Sequence, residues 1–371
     1  MYIKNIKADG FKNLKDININ THEKINVLYG ENAQGKTNLI EAIWLLSGVR
    51  SFRSTKEKDF IAIDGDRCEI SLDFDNGERV QNVSIAMSKQ SVRDKKVKLN
   101  GVEQSGASKL FGNLNCVVFT PEDLELSKGS PDNRRNFLDL SISQVKLSYS
   151  KVIARYDKLI QQRNALLKTV NLNDGGPNWN LLVVYDKELA KLGAYISMLR
   201  YNYIKKLSYV SSKLFDKISQ GRENLDLFYQ STAIRELEGR TDYETRMKEE
   251  YLSAIKNSIE ADVHSGFTNV GVHRDDLIAK INGLSARDYA SQGQHRSIAL
   301  VLKLSQAYII AEEKGNTPVI LLDDILSELD KKRQGFVLSE IEKMQVFITC
   351  CEKIPEIYDG RVFEIKDGRI I

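Results

Sequence analysis

The stretch GENAQGKT, from Gly30 to Thr37, decides the fold of this 371-residue chain. It fits the pattern G-x-x-x-x-G-K-[ST] and stands in the context that the pattern requires. The apolar run KINVLYG before it predicts a strand, and LIEAIWLLSG after it predicts a helix that ends at Gly48. Glycines in such a loop let backbone N–H groups curl around phosphates at the positive end of the following helix. The sequence therefore predicts a phosphate-binding loop.

Every residue of this loop is a candidate binding residue: Gly30, Glu31, Asn32, Ala33, Gln34, Gly35, Lys36 and Thr37. We expect Lys36 to reach the β- and γ-phosphates of ATP and the Thr37 hydroxyl to bind Mg²⁺. A plain glycine turn is the alternative. The strand and helix on either side favour the nucleotide site.

A second candidate element is VILLDD, from Val319 to Asp324. The apolar run predicts a buried strand that delivers two acids to the carboxyl edge of a parallel sheet, where such folds bind ligands. Beside a phosphate loop, we expect Asp323 to hold Mg²⁺ and Asp324 to act as general base or to orient the attacking water. The predicted catalytic residues are therefore Asp324, Asp323 and Lys36. A helix N-cap is an alternative role for Asp324, but it does not explain two acids at the end of a buried strand.

The composition is that of a soluble globular protein, with 42% hydrophobic and 28% charged residues. No run approaches the roughly 18 apolar residues of a membrane helix, and the N-terminus lacks an apolar signal-peptide core. We expect a cytoplasmic protein without a membrane partner. The four cysteines have no CxxC spacing and predict buried free thiols rather than a zinc site or disulfides. They are Cys68, Cys116, Cys350 and Cys351.

The hydrophobic period changes twice along the chain. Up to about residue 125, alternating runs around Asn76-Gly77 and Leu99-Asn100-Gly101 predict antiparallel hairpins beside a parallel core. From about Gly271 onward, strands and helices alternate again, which is typical of a parallel α/β sheet.

Between these parts, apolar residues recur at steps of three and four. This pattern predicts two long coiled-coil-like helices, from Leu138 to Leu166 and from Leu182 to Tyr203, separated by NLNDGGPNWN at 171–180. The expected fold is α/β: a P-loop ATPase-like lobe of mixed and antiparallel sheets with helices, and an inserted helical, coiled-coil-like second lobe. The ATPase lobe is predicted at 1–130 and 267–371, and the insertion at 131–266.

Positive charge is concentrated in the predicted insertion. Residues 140–222 carry 14 Lys and Arg against 5 Asp and Glu, a net charge of +9, within a chain of net charge +3. Such a segment is expected of a surface that meets phosphates. A solvated helical face accounts for the charge equally well.

The stretch YASQGQHRSIALVL contains Ser291-Gln292-Gly293-Gln294 at the start of a predicted helix. It offers a hydroxyl and backbone N–H groups at a helix N-terminus, but no lysine or nucleophile–base pair. By itself, an N-cap at Ser291 is the simplest explanation.

Together the motifs resemble those of ABC-type ATPases related to SMC proteins, and within that group the RecF family of bacterial DNA replication and repair. The stretches that carry the resemblance are GENAQGKTNLIEAI, SFR at 51–53, FTPEDL at 119–124, RRNFLD at 134–139, HRDD at 273–276, ASQGQ and LLDDILSELD. The resemblance implies that SQGQ is the ABC signature, so Ser291, Gly293 and Gln294 bind the γ-phosphate of ATP held by the other subunit. It also implies that SELD at 327–330 is the D-loop and that Lys12 contacts nucleotide phosphates.

Some positions depart from the pattern of the superfamily. FTPEDL has no glutamine where a Q-loop is expected, and Val272 replaces the proline that usually precedes HRDD. Thr349 stands where many ABC ATPases have a switch histidine, and Asp324 stands where most have glutamate. The last two departures predict slow hydrolysis, suited to a switch rather than a motor.

The function implied by the resemblance is ATP-dependent DNA binding in recombinational repair and replication-fork maintenance. ATP drives a homodimer that clamps single-strand/duplex junctions of gapped DNA, and with RecO and RecR it promotes RecA loading. A weak, DNA-stimulated ATPase activity then releases the DNA. The alternative is another SMC-like or ABC ATPase subunit, although a transporter subunit does not use so long an insertion and an SMC tether needs longer arms.

Overall fold

A computed structural model describes residues 1–53, 56–90, 95–169, 178–235, 245–351 and 359–371. These residues form two units: a first unit of Met1–Leu124 and Ala299–Ile371, and a second unit of Glu125–Ile298. Among the described residues, no helix is both long and apolar enough to span a membrane.

The elements follow one another along the chain in three groups. The first unit begins with β1 (Tyr2–Asp9), β2 (Ile17–Asn20), β3 (Ile25–Tyr29), α1 (Lys36–Leu46), β4 (Arg67–Asp75), β5 (Val80–Ser88), β6 (Lys96–Leu99), β7 (Val102–Gln104) and β8 (Cys116–Phe119). The second unit contains α2 (Pro131–Val145), α3 (Leu147–Lys168), α4 (Trp179–Ser219), β9 (Leu225–Gln230), α5 (Thr245–Asn257), α6 (Ile259–Ser265), β10 (Asp276–Ile281), β11 (Leu284–Ser285), α7 (Ala286–Tyr289) and the start of α8 (Gln292–Lys314). The first unit ends with β12 (Val319–Leu322), α9 (Lys331–Glu340), β13 (Val346–Cys350), β14 (Gly360–Lys366) and β15 (Arg369–Ile370).

A largely parallel sheet forms the centre of the first unit. Its strand order is β15-β14-β3-β13-β12-β8, and only β15 pairs antiparallel. Every residue of β8 and β12 is buried, because strands covered on both faces need continuous apolar runs. The strands predicted from KINVLYG and VILLDD are confirmed as β3 and β12.

An antiparallel sheet of order β2-β1-β4-β5-β6-β7 accompanies it in the first unit. Buried and less buried residues alternate along β4 and β5, as expected when only one face of a sheet is covered. Both predicted hairpins are confirmed: β4 and β5 flank Gly77, and β6 and β7 are joined by Asn100 and Gly101, at φ 52° and 79°. Two positive φ values in a two-residue loop match the twist of the flanking strands.

The helices of the second unit differ in part from the prediction. The predicted helix from Leu182 to Tyr203 is confirmed within α4, whose 41 residues bury a row from Leu182 to Ile218 at steps of three and four. The prediction of a single helix from Leu138 to Leu166 was wrong. Lys146 is extended, at φ −123° and ψ 93°, and separates two helices, α2 and α3. The predicted break at 171–180 lies largely outside the described residues, and α4 begins after Asn178, whose side chain accepts from Leu181 N at 3.2 Å.

The second unit also contains a small sheet that the helical period did not indicate. Strand β9 lies within the segment predicted as helical, and all six of its residues pair with β10. The predicted return to the ATPase lobe at residue 267 therefore differs from the observed division after Ile298, because a strand satisfies its backbone only through its partner. Residues 267–298 belong with β9.

Gly193 lets α4 and α5 approach closely. A Cβ atom at this position would lie 2.2 Å from Cζ of Tyr251, a fully buried ring on α5. The Tyr251 hydroxyl contacts the Tyr156 hydroxyl at 2.8 Å and accepts from Val272 N at 2.9 Å, so the ring has little freedom to move.

We expect Gly193→Ala to lower the free energy of unfolding by about 2 kcal/mol, because overpacking exceeds the gain in helix propensity. The matched control is Gly335→Ala on α9, where an added Cβ would meet nothing within 4 Å and stability should rise by up to about 1 kcal/mol. Urea denaturation followed by circular dichroism measures both. Wild-type stability of Gly193→Ala would contradict the close packing.

Candidate functional site

The glycine loop lies between the carboxyl end of β3 and the first turn of α1. Gly30 and Gly35 have φ values of 150° and 117°, and a Cβ atom at Gly30 would lie 2.3 Å from the Ile365 carbonyl oxygen. Gln34 fixes the loop, since its side-chain oxygen accepts from Asp367 N at 2.6 Å. The loop is therefore held in shape by the strands around it.

The Lys36 side chain lies inside this loop and is only 4% exposed. Its Nζ donates to the carbonyl oxygens of Gly30 at 2.6 Å and Glu31 at 2.9 Å. No ion pair within the described ranges includes Lys36. A buried ammonium is costly unless a negative charge compensates it, so this arrangement favours an incoming anion.

Thr37 and Asp323 meet at the carboxyl edge of the parallel sheet. The Thr37 hydroxyl donates to Asp323 Oδ1 at 2.9 Å. Burial raises the pKa of the Asp323 carboxyl above its ordinary value, and the hydrogen bond from Thr37 opposes that rise. Two adjacent oxygen atoms of this kind can act as ligands of a Mg²⁺ ion.

Asp324 follows in a left-handed conformation, at φ 50° and ψ 11°. Thr349 on β13 links both acids: its hydroxyl lies 3.1 Å from Asp323 Oδ1 and 3.2 Å from Asp324 Oδ1, and it accepts from Asp324 N at 2.7 Å. The hydroxyl has a single proton to share between the two carboxylates.

A cleft of about 910 Å³ lies in front of the glycine loop. Its lining includes Thr37, Asp324 and residues of the segment 59–65. Among the described residues, its lining includes four cationic side chains: Lys12, Lys15, Lys36 and Arg53. Arg53 Nη1 donates to Asn38 Oδ1 at 3.2 Å, and Asn13 Nδ2 donates to the Ala33 carbonyl at 3.0 Å. The sequence alone did not assign Arg53 or Asn13 to the site, because nothing local in their spacing connects them to the loop.

Lys12 lines the same cleft but is already paired. Its ammonium forms an ion pair with Glu41, a fully buried acid on α1, and Ser51 Oγ donates to the other oxygen of Glu41 at 2.5 Å. Lys12 therefore ties the turn after β1 to the helix that follows the glycine loop. The predicted phosphate contact of Lys12 stays a prediction.

Two cysteines lie near the loop. Cys68 and Cys116 are buried, as predicted, but the prediction was wrong for Cys350, which is half-buried, and for Cys351, which is exposed. Strand β13 ends at Cys350, so the chain leaves the core there, and Cys351 Sγ lies 3.1 Å from Asn32 Oδ1.

Ser291 belongs to the second unit, whereas Lys36 belongs to the first. Ser291 is exposed, its N–H donates to Gln294 Oε1 at 2.7 Å, and its hydroxyl accepts from Gln294 N at 3.3 Å. This reciprocal pair is a capping box at the start of α8. Gln294 Nε2 also donates to Glu223 Oε1 at 2.7 Å, which joins the start of α8 to the segment that follows α4.

The RRNFLD and HRDD stretches pair with each other in the second unit. Arg134 forms two hydrogen bonds to Asp276, Nε to Oδ1 at 2.7 Å and Nη2 to Oδ2 at 2.8 Å, and Arg135 Nη1 donates to the Asp275 carbonyl at 2.7 Å. Asp275 is buried and accepts from Thr232 N at 2.7 Å. These motif residues hold α2 to β10, so their contacts are structural.

His273 forms one hydrogen bond through each of its two ring nitrogens. Its Nε2 lies 2.9 Å from the Thr268 carbonyl and its Nδ1 lies 3.0 Å from the Tyr156 hydroxyl. A neutral imidazole that donates through Nε2 and accepts at Nδ1 satisfies both partners. Burial lowers the pKa of His273 to about 4, which agrees with a neutral ring.

The FTPEDL and SELD stretches form local caps. Asp123 accepts from Thr120 N at 2.8 Å and pairs with the buried Lys303 at 2.9 Å. Asp330 caps α9, accepting from Arg333 N at 3.0 Å. Roles for these stretches in nucleotide chemistry stay predictions.

The parallel strand order, with the glycine loop after β3 and the acidic pair after β12, defines a P-loop domain of the ABC-type ATPase fold. Residues 2–355 match the family described as RecF/RecN/SMC N terminal domain. The DNA replication and repair protein RecF of Clostridium acetobutylicum is 38% identical over 375 residues, covering 100% of this chain and 99% of that protein. The chain belongs to the RecF family of DNA replication and repair proteins.

Two solved structures have the same fold along the whole chain. One is of the recombination mediator protein RecF-ATPrS in the RecFOR pathway, with a TM-score of 0.91 and 36% identity over 100% of this chain and 97% of that chain. The other, of RecF-ATP in the same pathway, has a TM-score of 0.89 with the same identity and coverage. The resemblance seen in the motifs is thereby confirmed.

The pKa of His273 leads to a pH prediction. In the unfolded chain the imidazole has its ordinary pKa of 6.5, whereas in the folded chain its pKa is about 4. Between these two pH values the unfolded chain therefore binds a proton that the folded chain does not bind. Stability therefore rises with pH across this window. His273→Gln, which keeps one donor and one acceptor, should reduce the loss of stability between pH 7 and pH 5 by about 2 kcal/mol.

Urea denaturation at the two pH values tests this expectation. His264→Gln, which replaces an exposed histidine on α6, is the matched control and should keep the wild-type pH dependence. Equal pH dependence in His273→Gln and wild type would contradict a neutral, buried His273.

Proposed function

We propose that this chain binds ATP with Mg²⁺ at the glycine loop, dimerises when ATP is bound, and holds DNA until slow hydrolysis releases it. The observation that carries the proposal is the ammonium of Lys36, which is buried and donates to the neutral carbonyl oxygens of Gly30 and Glu31 in the glycine loop. The first N–H groups of α1 have no acceptor within the helix, and this helix end carries the positive end of the dipole, so the loop suits a polyphosphate. The solved RecF-ATP structure supports ATP as that ligand.

Thr37 and Asp323 are the residues that would hold Mg²⁺. Their oxygen atoms are 2.9 Å apart, and burial disfavours the charged form of Asp323 unless a cation compensates it. Oxygen donors beside substrate phosphates are the usual environment of this ion. When bound, Mg²⁺ neutralises charge that develops on the transferred phosphoryl group.

Slow turnover follows from the position of Asp324. Its short side chain shares the single Thr349 proton with Asp323, and its backbone N–H is bonded to the same hydroxyl. The Asp324 carboxylate is therefore held beside Thr349 at the carboxyl end of β12. In this position it orients an attacking water less well than the longer glutamate side chain of related ATPases does. A threonine hydroxyl also does not take up a proton as an imidazole does.

Dimerisation is proposed from Ser291. In the superfamily that this chain resembles, the signature helix contacts the γ-phosphate of ATP held by the partner subunit. Here the hydroxyl of Ser291 is exposed at the start of the 23-residue helix α8, and the first-turn N–H groups of a helix point outward along its axis. Gly293 and Gln294 would contribute from the same turn.

The proposed DNA ligand is a single-strand/duplex junction in gapped DNA, with RecO and RecR as partners in RecA loading. The two solved structures belong to the RecFOR pathway, which supports these partners. The net charge of +9 between residues 140 and 222 supports binding to DNA phosphates. Full-length similarity to RecF proteins disfavours a transporter subunit.

We expect wild type to form dimers with ATP and Mg²⁺ and to bind gapped DNA more tightly in that state, with strong salt dependence. Lys36→Ala should lose ATP binding and both effects. Ser291→Arg should bind ATP with wild-type affinity, because its own loop is intact, and yet remain monomeric. Sedimentation velocity and DNA anisotropy measure these results.

The matched control for Ser291→Arg is Ser339→Arg, on the exposed side of α9, which should behave as wild type. A Ser291→Arg protein that dimerises normally with ATP would refute the signature role in the dimer. If the wild-type protein bound DNA equally tightly with and without ATP, the proposal that ATP controls DNA binding would be refuted.

We expect Asp324→Asn to bind ATP and dimerise but to hydrolyse ATP at least about 100-fold more slowly, because an amide cannot accept the proton of water. Single-turnover hydrolysis and the lifetime of the DNA complex are the measurements, and that lifetime should lengthen in parallel. Thr349→Val, which frees Asp324 from its hydroxyl contact, serves for comparison. Unchanged hydrolysis in Asp324→Asn would exclude Asp324 as the water-orienting group.

A further inference from the structure

We propose that one face of α4 is a contact surface for single-stranded DNA. The surface consists of Tyr201, Lys205, Tyr209 and Lys213, called here the tyrosine–lysine row. The inference rests on the proposed function, since it presupposes that the chain binds DNA. It names the side chains through which the second unit would hold an unpaired strand.

The row is continuous along the helix surface. Its members are four residues apart, so each lies one turn beyond the last on the same side of α4. Lys205 Nζ lies 5.7 Å from the ring centroid of Tyr201, and Lys213 Nζ lies 3.9 Å from that of Tyr209. From Tyr201 to Lys213 the row extends about 18 Å, with aromatic rings and ammonium groups in alternation.

The exposure of Tyr209 contrasts with the burial of a neighbouring tyrosine on the same helix. Tyr209 is 64% exposed, whereas Tyr203, two residues after Tyr201 on the same helix, is 6% exposed. The remaining buried tyrosines belong to the core and to its hydrogen bonds: Tyr149, Tyr156 and Tyr251. Core packing therefore does not account for the ring of Tyr209.

The positively charged side chains of residues 140–222 are also divided between the core and the surface. Arg163 and Arg200 are fully buried and form ion pairs with acids of the second unit, so they cannot reach DNA. Lys205 and Lys213 are exposed. In the stretch 201–217 four lysines stand against one acid, Asp216, which leaves this part of the helix surface complementary to phosphate.

One exposed ring, Tyr209, and one half-buried ring, Tyr201, stand beside lysines, and this arrangement favours a single strand over a duplex. A base stacks on an aromatic face only when it is unpaired, while a neighbouring cation meets the phosphate of the same nucleotide. The Cα atoms of Tyr201 and Tyr209 are about 12 Å apart along the helix. That distance corresponds to roughly three or four nucleotides at B-form rise, so one strand can reach both rings.

The test uses the full chain with ATP and Mg²⁺, and measures anisotropy of a labelled oligo-dT strand and of a blunt duplex. We expect Tyr209→Ala to weaken oligo-dT binding about tenfold, Tyr209→Phe to preserve it, and both to leave duplex binding within about twofold of wild type. Lys213→Gln should reduce the salt dependence of oligo-dT binding by about one counterion.

Phe228→Ala is the matched control. Phe228 is 48% exposed with Lys280 Nζ 5.2 Å from its ring centroid, but it lies on β9 outside the row. The Phe228→Ala protein should bind oligo-dT with wild-type affinity. Equal losses in Tyr209→Ala and Phe228→Ala would overturn the assignment to the row, and equal losses on duplex and single strand would overturn the single-strand preference.

Two failures are distinguishable. If wild type binds oligo-dT and Tyr209→Ala binds it equally well, the row is refuted while the proposed function stands. If wild type binds no DNA with or without ATP, the proposed function fails and the row fails with it. Sedimentation of Tyr209→Ala with ATP, which should show the wild-type dimer, separates a local loss of contact from misfolding.

Discussion

The first unit depends on the parallel pairing of three central strands. Strand β13 pairs with β3 on one side and with β12 on the other, so all three carboxyl ends lie along one edge. This pairing brings Thr37 and Asp323, which are 286 residues apart in the chain, to within 2.9 Å, and it places Thr349 beside both acids. A shift of one residue in the pairing of β13 would turn Thr349 to the opposite face of the sheet.

The second unit depends on buried charge rather than on apolar packing alone. Arg163 is fully buried between Asp186 and Asp262, and Arg200 is buried against Asp139. Removing one member of such a pair leaves an uncompensated charge in the interior, which costs several kcal/mol. These pairs join residues on different helices, so they favour one helix arrangement over others of similar apolar contact. They also place part of the positive charge of residues 140–222 in the interior rather than on the surface.

Much of the core and the site could be predicted locally. The glycine loop, its strand and its helix are contiguous, and the buried strand before Asp323 is continuous and apolar, so each has a local signal. The break at Lys146 and the strand β9 could not be predicted in this way. The apolar spacing continues across Lys146 without interruption, and β9 is stable because β10, 46 or more residues later, supplies its hydrogen bonds.

What the sequence by itself determined is the position of the glycine loop, the acidic pair and the helix start at Ser291, because each consists of particular residue types at fixed local spacing. Tertiary structure decided which partners each side chain meets. Lys12 pairs with buried Glu41, HRDD pairs with RRNFLD, and Tyr209 faces solvent while Tyr203 does not. The physical reason is that burial and ion pairing depend on neighbours far away in the chain, whose position follows only from the packing of strands and helices.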